Sequence, residues 1–489
     1  MSLDATLAIA SGGLASITRQ IGVISHNVAN ASTPGYTRQV GRQSALVGDG
    51  VGAGVRTGTT TRSIDSLLQE TRWQQQGDVA ALQVRSDALA AIDAAQGTPG
   101  QGDDLASLAG ALRNAFTELS ADPSKVVQQR AVVSAADRLA DGINRVAAAS
   151  TGQRQAAQDA LVADVDTLNA ALADVGRLST RITLLRAQGD STADLEDQRD
   201  AAMGTIAGLA DVRFAEEANG DMLVFTASGV QLPTRATTGP LTMARAALGA
   251  TGDGPALMLG GTDVTAQFSG GEIGANLALR DVELPTIQAE LDEFAHDLAS
   301  RFDAVGLQLF TDGANPVAAA ATTPPVQATY LGLAGRIQVN PAVAADATLV
   351  RDGTAGTANG QAGYGEVIGK VLTQALGTGN VSSTTPPATS GLGASGSLAA
   401  RFAAPGSVAG FATAFAGAQA GAAADAATDL SDAQSVQSIL DDKAASVSKV
   451  SVDTEMSTMI ALQNAYSANA RIISTVQQLW QDVLNMVGG

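Results

Sequence analysis

The sequence predicts a mainly α-helical, elongated protein. Its N- and C-terminal helices pair as a coiled coil, long helices form a stalk, and a small β-rich domain is inserted. Three observations lead there. Apolar residues recur at alternating spacings of three and four at both ends of the chain, the signature of a heptad seam. Long stretches between the ends are helix-compatible with few breakers. One interval changes from a helical period to short β-like runs bounded by glycine.

At the N-terminus the stripe is Leu3, Leu7, Ala10, Leu14, Ile17, Ile21, Ile24 and Val28. At the C-terminus it is Met459, Leu462, Tyr466, Asn469, Ile473, Val476, Trp480, Val483 and Val487. Small and polar residues fill the positions between. Each helix is therefore too narrow in its apolar face for a core and too apolar to stand alone, and pairing the two satisfies both. His26, Asn27, Asn30 and Asn469 are expected as polar interruptions near the seam, which cost stability but can fix register or contact neighbouring molecules. The first helix must end at Thr33-Pro34-Gly35-Tyr36. Pro34 disfavours helix at Thr33 and presets the first corner of a turn, and Gly35 supplies positive φ at the second.

Helices are expected over 63–95 and 103–121, the second ending at Asp122-Pro123, and from Ser124 to about Gln188 with an interruption at Gly142 and Gly152. A further helix spans about 284–310, with Leu284, Ile287, Leu291, Phe294, Leu298, Phe302, Val305 and Leu309 on one face. Residues 212–234 and 255–280 supply the β-like runs, and 313–405 are rich in Gly, Ala, Thr and Pro and partly ordered. The expected division is 1–35 with 452–489 as the terminal coiled coil; 36–210, 282–312 and 406–451 as the stalk; 211–281 as the β-rich insert; and 313–405 as a variable segment. At 489 residues there is room for several domains of ~100–200 residues each.

Composition excludes several functions. A net charge of −19 leaves no basic surface for nucleic acid. No cysteine rules out disulfides, thiolate zinc sites and cysteine nucleophiles. No cleavable signal peptide is visible, and no run near 18 apolar residues predicts a membrane span. The glycines of 48–58 read as turns in a loop or hairpin, since no βαβ unit surrounds them to make a phosphate loop. Asp194, Glu196, Asp197 and Asp200 could be read as metal ligands, but acids at a helix start are favoured by the helix dipole and by capping, so no metal is expected. With His26 and His296 the only histidines and no nucleophile or zinc motif, neither catalytic residues nor a cofactor are expected.

Two stretches carry a resemblance. NVANASTPGYTRQ, with Asn27, Asn30, Thr33, Pro34, Gly35 and Tyr36, resembles the N-terminal signature of the flagellar axial proteins, and SVDTEMSTMIALQNAYSANARIISTVQQLWQDVLNMV resembles their C-terminal segment. LEDQRD, with Asp197, Gln198, Arg199 and Asp200, is similar to a motif of the hook-associated proteins of the hook-proximal junction. The resemblance covers the termini and most of 60–310 and 406–489. It implies a non-enzymatic structural subunit joining hook to filament, exported through the flagellar type III apparatus to the cell exterior. It also implies partners: the hook protein, the filament-proximal junction protein, further copies in a ring, and a secretion chaperone on the C-terminal helix. Its terminal helices should be mobile until neighbours cover them. A hook or distal-rod subunit is the alternative, and a secreted adhesin or a peptidoglycan hydrolase are remoter ones.

Overall fold

The computed structural model describes residues 3–48, 51–98, 100–235, 239–356, 360–378 and 386–487. In chain order the elements are α1 (Leu3–Asn30), the strands β1 (Gln39–Gly48) and β2 (Val51–Arg62), and four helices: α2 (Ser66–Gln96), α3 (Leu105–Ala121), α4 (Val126–Gln188) and α5 (Ala193–Leu209). Six short strands follow: β3 (Val212–Glu216), β4 (Met222–Thr226), β5 (Gln231–Leu232), β6 (Leu241–Met243), β7 (Leu257–Leu259) and β8 (Thr262–Asp263). Then come α6 (Gly271–Ala278), α7 (Leu284–Ala304), β9 (Phe310–Asp312), β10 (Ile337–Val339) and the short helices α8 (Pro341–Ala345), α9 (Leu349–Asp352) and α10 (Glu366–Lys370). The strands β11 (Ser390–Leu392) and β12 (Leu398–Ala399) precede α11 (Val408–Ser448) and α12 (Val452–Val487). The fold is mainly α with small antiparallel sheets, as the sequence predicts.

The chain forms two compact units: residues 1–79, 167–240 and 433–489 make the first, and 80–166 and 241–432 the second. In the first, α1 lies against α12 on one side and against the β1–β2 hairpin on another. Gly13 faces the Asn469 amide, whose Oδ1 would stand 3.5 Å from a Cβ at that glycine. On the hairpin side Gln43 hydrogen-bonds Ser16, and Arg19 hydrogen-bonds Thr57. Among the described residues α1 is the one helix that is long and apolar enough to cross a membrane, by length and composition alone. Of its apolar stripe Ala10, Ile17 and Ile24 are buried, and the other positions are half-covered. Strands β3–β4–β5 form an antiparallel meander, and Phe214 meets Trp73 of α2 edge-on with ring centres 5.0 Å apart.

The second unit is organised on α7. Its apolar stripe packs into one core with α3, with the adjoining part of α4 and with Phe411 and Phe415 of α11. Phe302 contacts Phe116 and Phe310, and Phe294 contacts Phe411. The Gly/Ala/Pro-rich stretch contributes to the same core through Tyr330, Ile337, Val343, Val350, Ile368 and Val371. Residues 357–359 and 379–385 of that stretch lie outside the described residues.

The interruption expected in α4 is corrected: the helix runs unbroken past Gly142 and Gly152. A Cβ at Gly142 would sit 2.7 Å from Leu108 Cδ1, so this glycine lets α3 approach closely rather than ending a helix. Gly152 is exposed with open space around it, and its propensity cost of ~1 kcal/mol relative to Ala is too small to break a helix held by packing on either side.

Candidate functional site

The first signature builds a turn with the geometry its residues demand. Gly35 has φ +77°, and Tyr36 N donates to Thr33 O at 3.2 Å, closing a turn over Pro34 and Gly35. Asn30 closes the helix end behind it: its Nδ2 donates to His26 O at 3.0 Å, and its Oδ1 accepts from Thr33 Oγ1 at 3.3 Å. Asn27 is buried and behaves as a piece of backbone. Its Nδ2 donates to Gln39 O and its Oδ1 accepts from Gln39 N, both at 2.9 Å, and Tyr36 Oη adds a third bond to the same oxygen at 2.7 Å. The asparagine thus fixes the start of β1 to the end of α1. Burial, and then the charges of Asp194, Asp197 and Glu455, push the Tyr36 phenol well above its ordinary range.

The second signature, 160 residues away in sequence, meets this turn. Asp197 accepts from Thr37 N at 3.0 Å and from Thr37 Oγ1 at 2.6 Å. Asp194 accepts from Gln39 Nε2 at 2.6 Å. Arg62, the last residue of β2, reaches into the acidic start of α5. Its Nε lies 3.0 Å from Glu196, and its Nη1 lies 2.9 Å from Asp197 and 2.6 Å from Asp200. The Arg62 side chain is 6% exposed. Burial works against ionisation of Glu196, but Arg186, Thr192 and Arg62 outweigh it and hold this carboxyl below its ordinary value. At Asp200 burial prevails over Arg62, and its value is raised. The acids that open α5 are thus engaged with Arg62, Thr37 and Gln39, which gives them a structural use without an ion.

Arg199 turns the other way on α5, buried, and donates to Gly220 O at 2.8 Å. Gln198 is exposed and belongs to neither arrangement. The motif therefore splits by helical phase. Sequence reasoning missed Thr37, Arg38, Arg62 and Glu455. The available signal was weak: Arg62 closes a Thr- and Gly-rich run that also holds Arg56, and its partners lie more than 130 residues on.

Along the seam, Ile17, Ile24 and Val476 are buried. Leu3, Leu7, Leu14, Ile21, Val28, Met459, Leu462, Asn469 and Ile473 are half-buried. Tyr466, Trp480 and Val483 are exposed by 41%, 37% and 38%, so the far end of α12 is uncovered in the single chain. The Val487 side chain lies outside the described residues. Ile472, Leu479 and Met486, at intervals of seven, form a second exposed apolar row beside the seam.

Three family models match this chain, each over a different part. Residues 7–37 match the flagella basal body rod protein model, 90–314 the FlgK helical domain of flagellar hook-associated proteins, and 443–486 the C-terminal model of the FlgEFG basal body rod proteins. All three models describe proteins of the flagellar axis, and the chain resembles that family in each of the three parts. The chain is 23% identical over 218 residues to flagellar hook-associated protein 1 of Bacillus subtilis (strain 168), a match covering 42% of each. It also aligns with the flagellar hook junction protein FlgK from Burkholderia pseudomallei, at 20% identity and a TM-score of 0.42, over 52% of this chain and 47% of that one. The matches thus span less than half the length of either relative. The Arg62 joint links the N-terminal signature to residues inside the hook-associated helical match.

Proposed function

We propose that this chain is a flagellar axial protein, a structural subunit of the hook–filament junction, outside the cell, assembling through its terminal helices. The observation that carries the reading is the hook-associated helical domain at 90–314 lying between rod-type ends. The partners are the hook protein, the filament-proximal junction protein and further copies of the chain in a ring. A secretion chaperone covers α12 before export through the flagellar type III apparatus. The four-part division into terminal coiled coil, stalk, β-rich insert and variable segment belongs to this proposal, as does a role without catalysis.

The half-covered seam supports assembly at α12. Exposed apolar residues at helical spacing gain stability when a neighbour removes them from water, by ~25 cal/mol per Å² buried. Replacing Ile473 and Val476 with Asp is expected to leave the second unit folded and to prevent incorporation into flagella. Normal-looking flagella built with that variant would refute the role of the seam. The rod-type models at both ends favour one second reading, a hook or rod subunit. Labelling on isolated flagella separates the two: a narrow band between hook and filament, or signal spread along the hook or rod.

A further inference from the structure

Arg38 stands where two chain crossings meet, the turn that leaves α1 and the joint Lys449–Ser451 between α11 and α12. It touches three segments at once. Its backbone N donates to Ser448 O at 2.8 Å, at the end of α11. Its carbonyl accepts from Ser63 N at 2.8 Å, ahead of α2. Its Nε donates to Glu455 Oε1 at 2.7 Å, in the first turn of α12.

The Glu455 side chain is 2% exposed, while Arg38 keeps a third of its surface in water. A buried carboxylate strongly favours the geometry that keeps its cation, because desolvation penalises every arrangement in which it is unpaired. The negative charges of Asp194, Asp197 and Glu455 all bear on nearby Tyr36, so the surroundings reinforce that demand for a cation. Val450, buried in the middle of the joint, holds the chain crossing but does not set a direction, since an apolar contact is not oriented.

We propose that Arg38 is a positioning residue: its bond to Glu455 sets the direction in which α12 leaves α11. The consequence for assembly rests on the proposed function, whereas the geometry does not. The absence of cysteine makes the test clean. Spin labels are placed at Asp442→Cys on α11 and Ser467→Cys on α12, both exposed sites in one compact unit. Pulsed electron resonance then reads the distance distribution between them in the full chain.

A narrow distribution is expected for the parent. Arg38→Met, which keeps an unbranched stem without the charge, and Arg38→Glu should each at least double its width. Arg38→Glu combined with Glu455→Arg should narrow it again. Trp73 fluorescence, read in a Trp480→Phe background, reports whether the surrounding unit remains folded. Single variants as narrow as the parent, or a swap as broad as the single variants, would overturn the proposal. Loss of the folded Trp73 signal in both single variants would overturn it too, by making Arg38 a requirement for folding rather than for direction. Because the readout is on the isolated chain, a wrong assignment to the hook–filament junction would leave it unchanged.

Discussion

Replacing Arg62 with Met removes the cation from three carboxylates and leaves Glu196, Asp197 and Asp200 grouped at the start of α5. The three contacts run from 2.6 to 3.0 Å around a side chain that is 6% exposed. At an effective dielectric constant of about 20, each such pair attracts by ~5 kcal/mol before desolvation is subtracted. What remains on breaking a buried pair is ~3–5 kcal/mol, because the partner charges stay behind. Domain stabilities are ~5–15 kcal/mol, so the loss should bring the first unit close to unfolding. Trp73, edge-on to Phe214 in that unit, reports it by fluorescence during urea unfolding in a Trp480→Phe background, which leaves a single indole. The pH dependence carries the sharper test. In the parent, Glu196 is held below its ordinary value, so its contribution is present at neutral pH and is lost as pH falls through its folded value. In Arg62→Met, Glu196 keeps Arg186, but Asp200 loses the cation that chiefly opposes its burial, and stability is instead regained as pH falls and Asp200 takes up a proton. Parent and variant should therefore converge in acid. A difference below ~1 kcal/mol at neutral pH, or one that does not change with pH, would refute the view that Arg62 clamps the two signatures together.

Two further predictions concern backbone and burial. Gly176→Ala should destabilise the first unit by ~1–3 kcal/mol or more, because the new Cβ would stand 1.8 Å from Thr234 O, whereas Gly152→Ala, with open space around it, should stabilise its helix by up to ~1 kcal/mol; thermal unfolding of each variant against the parent checks the pair. In the second unit, burial raises the Asp292 carboxyl to about 7, with the Gly332 and Ala334 N–H groups, Gln288 and Arg336 pulling the other way. A raised folded value means that its stabilising contribution is complete below the unfolded value near 4 and disappears as pH rises through 7. Stability measured between pH 4 and 7 should therefore fall more steeply with rising pH in the parent than in Asp292→Asn, and equal slopes would contradict the assignment.

Periodicity made the ends legible. Two matched stripes and a Pro-Gly corner depend only on neighbours in sequence, and they yielded the pairing of α1 with α12 and the turn at Thr33–Tyr36. Local chemistry also located the acids of α5 and their favourable place at a helix start. It could not give their partner. Arg62 reaches them only because Asn27, holding both backbone groups of Gln39, sets where the hairpin begins. Gly142 was misread because glycine weakens a helix in isolation, whereas here the missing Cβ makes room for Leu108 of α3.

The Gly/Ala/Pro-rich stretch shows a different limit. A segment with few large side chains offers little apolar pattern, but it still carries backbone N–H groups, and α7 supplies acceptors for them. Glu290 accepts from Arg401 N at 2.7 Å, Asp292 from Gly332 N at 2.7 Å and Ala334 N at 2.8 Å, and Glu293 from Ala388 N at 2.7 Å. Side chains complete two of these sites: Arg401 pairs with Glu290, and Tyr330 Oη donates to Glu293. All three carboxylates are buried. In sequence they look like the wet face of an amphipathic helix, since period reveals which face rejects apolar neighbours and not which face meets water. Here that face meets a second layer of chain, ordered by charge-assisted bonds to its backbone as well as by its few apolar anchors. A polar helix face opposite a long small-residue stretch can therefore be the site where that stretch is held.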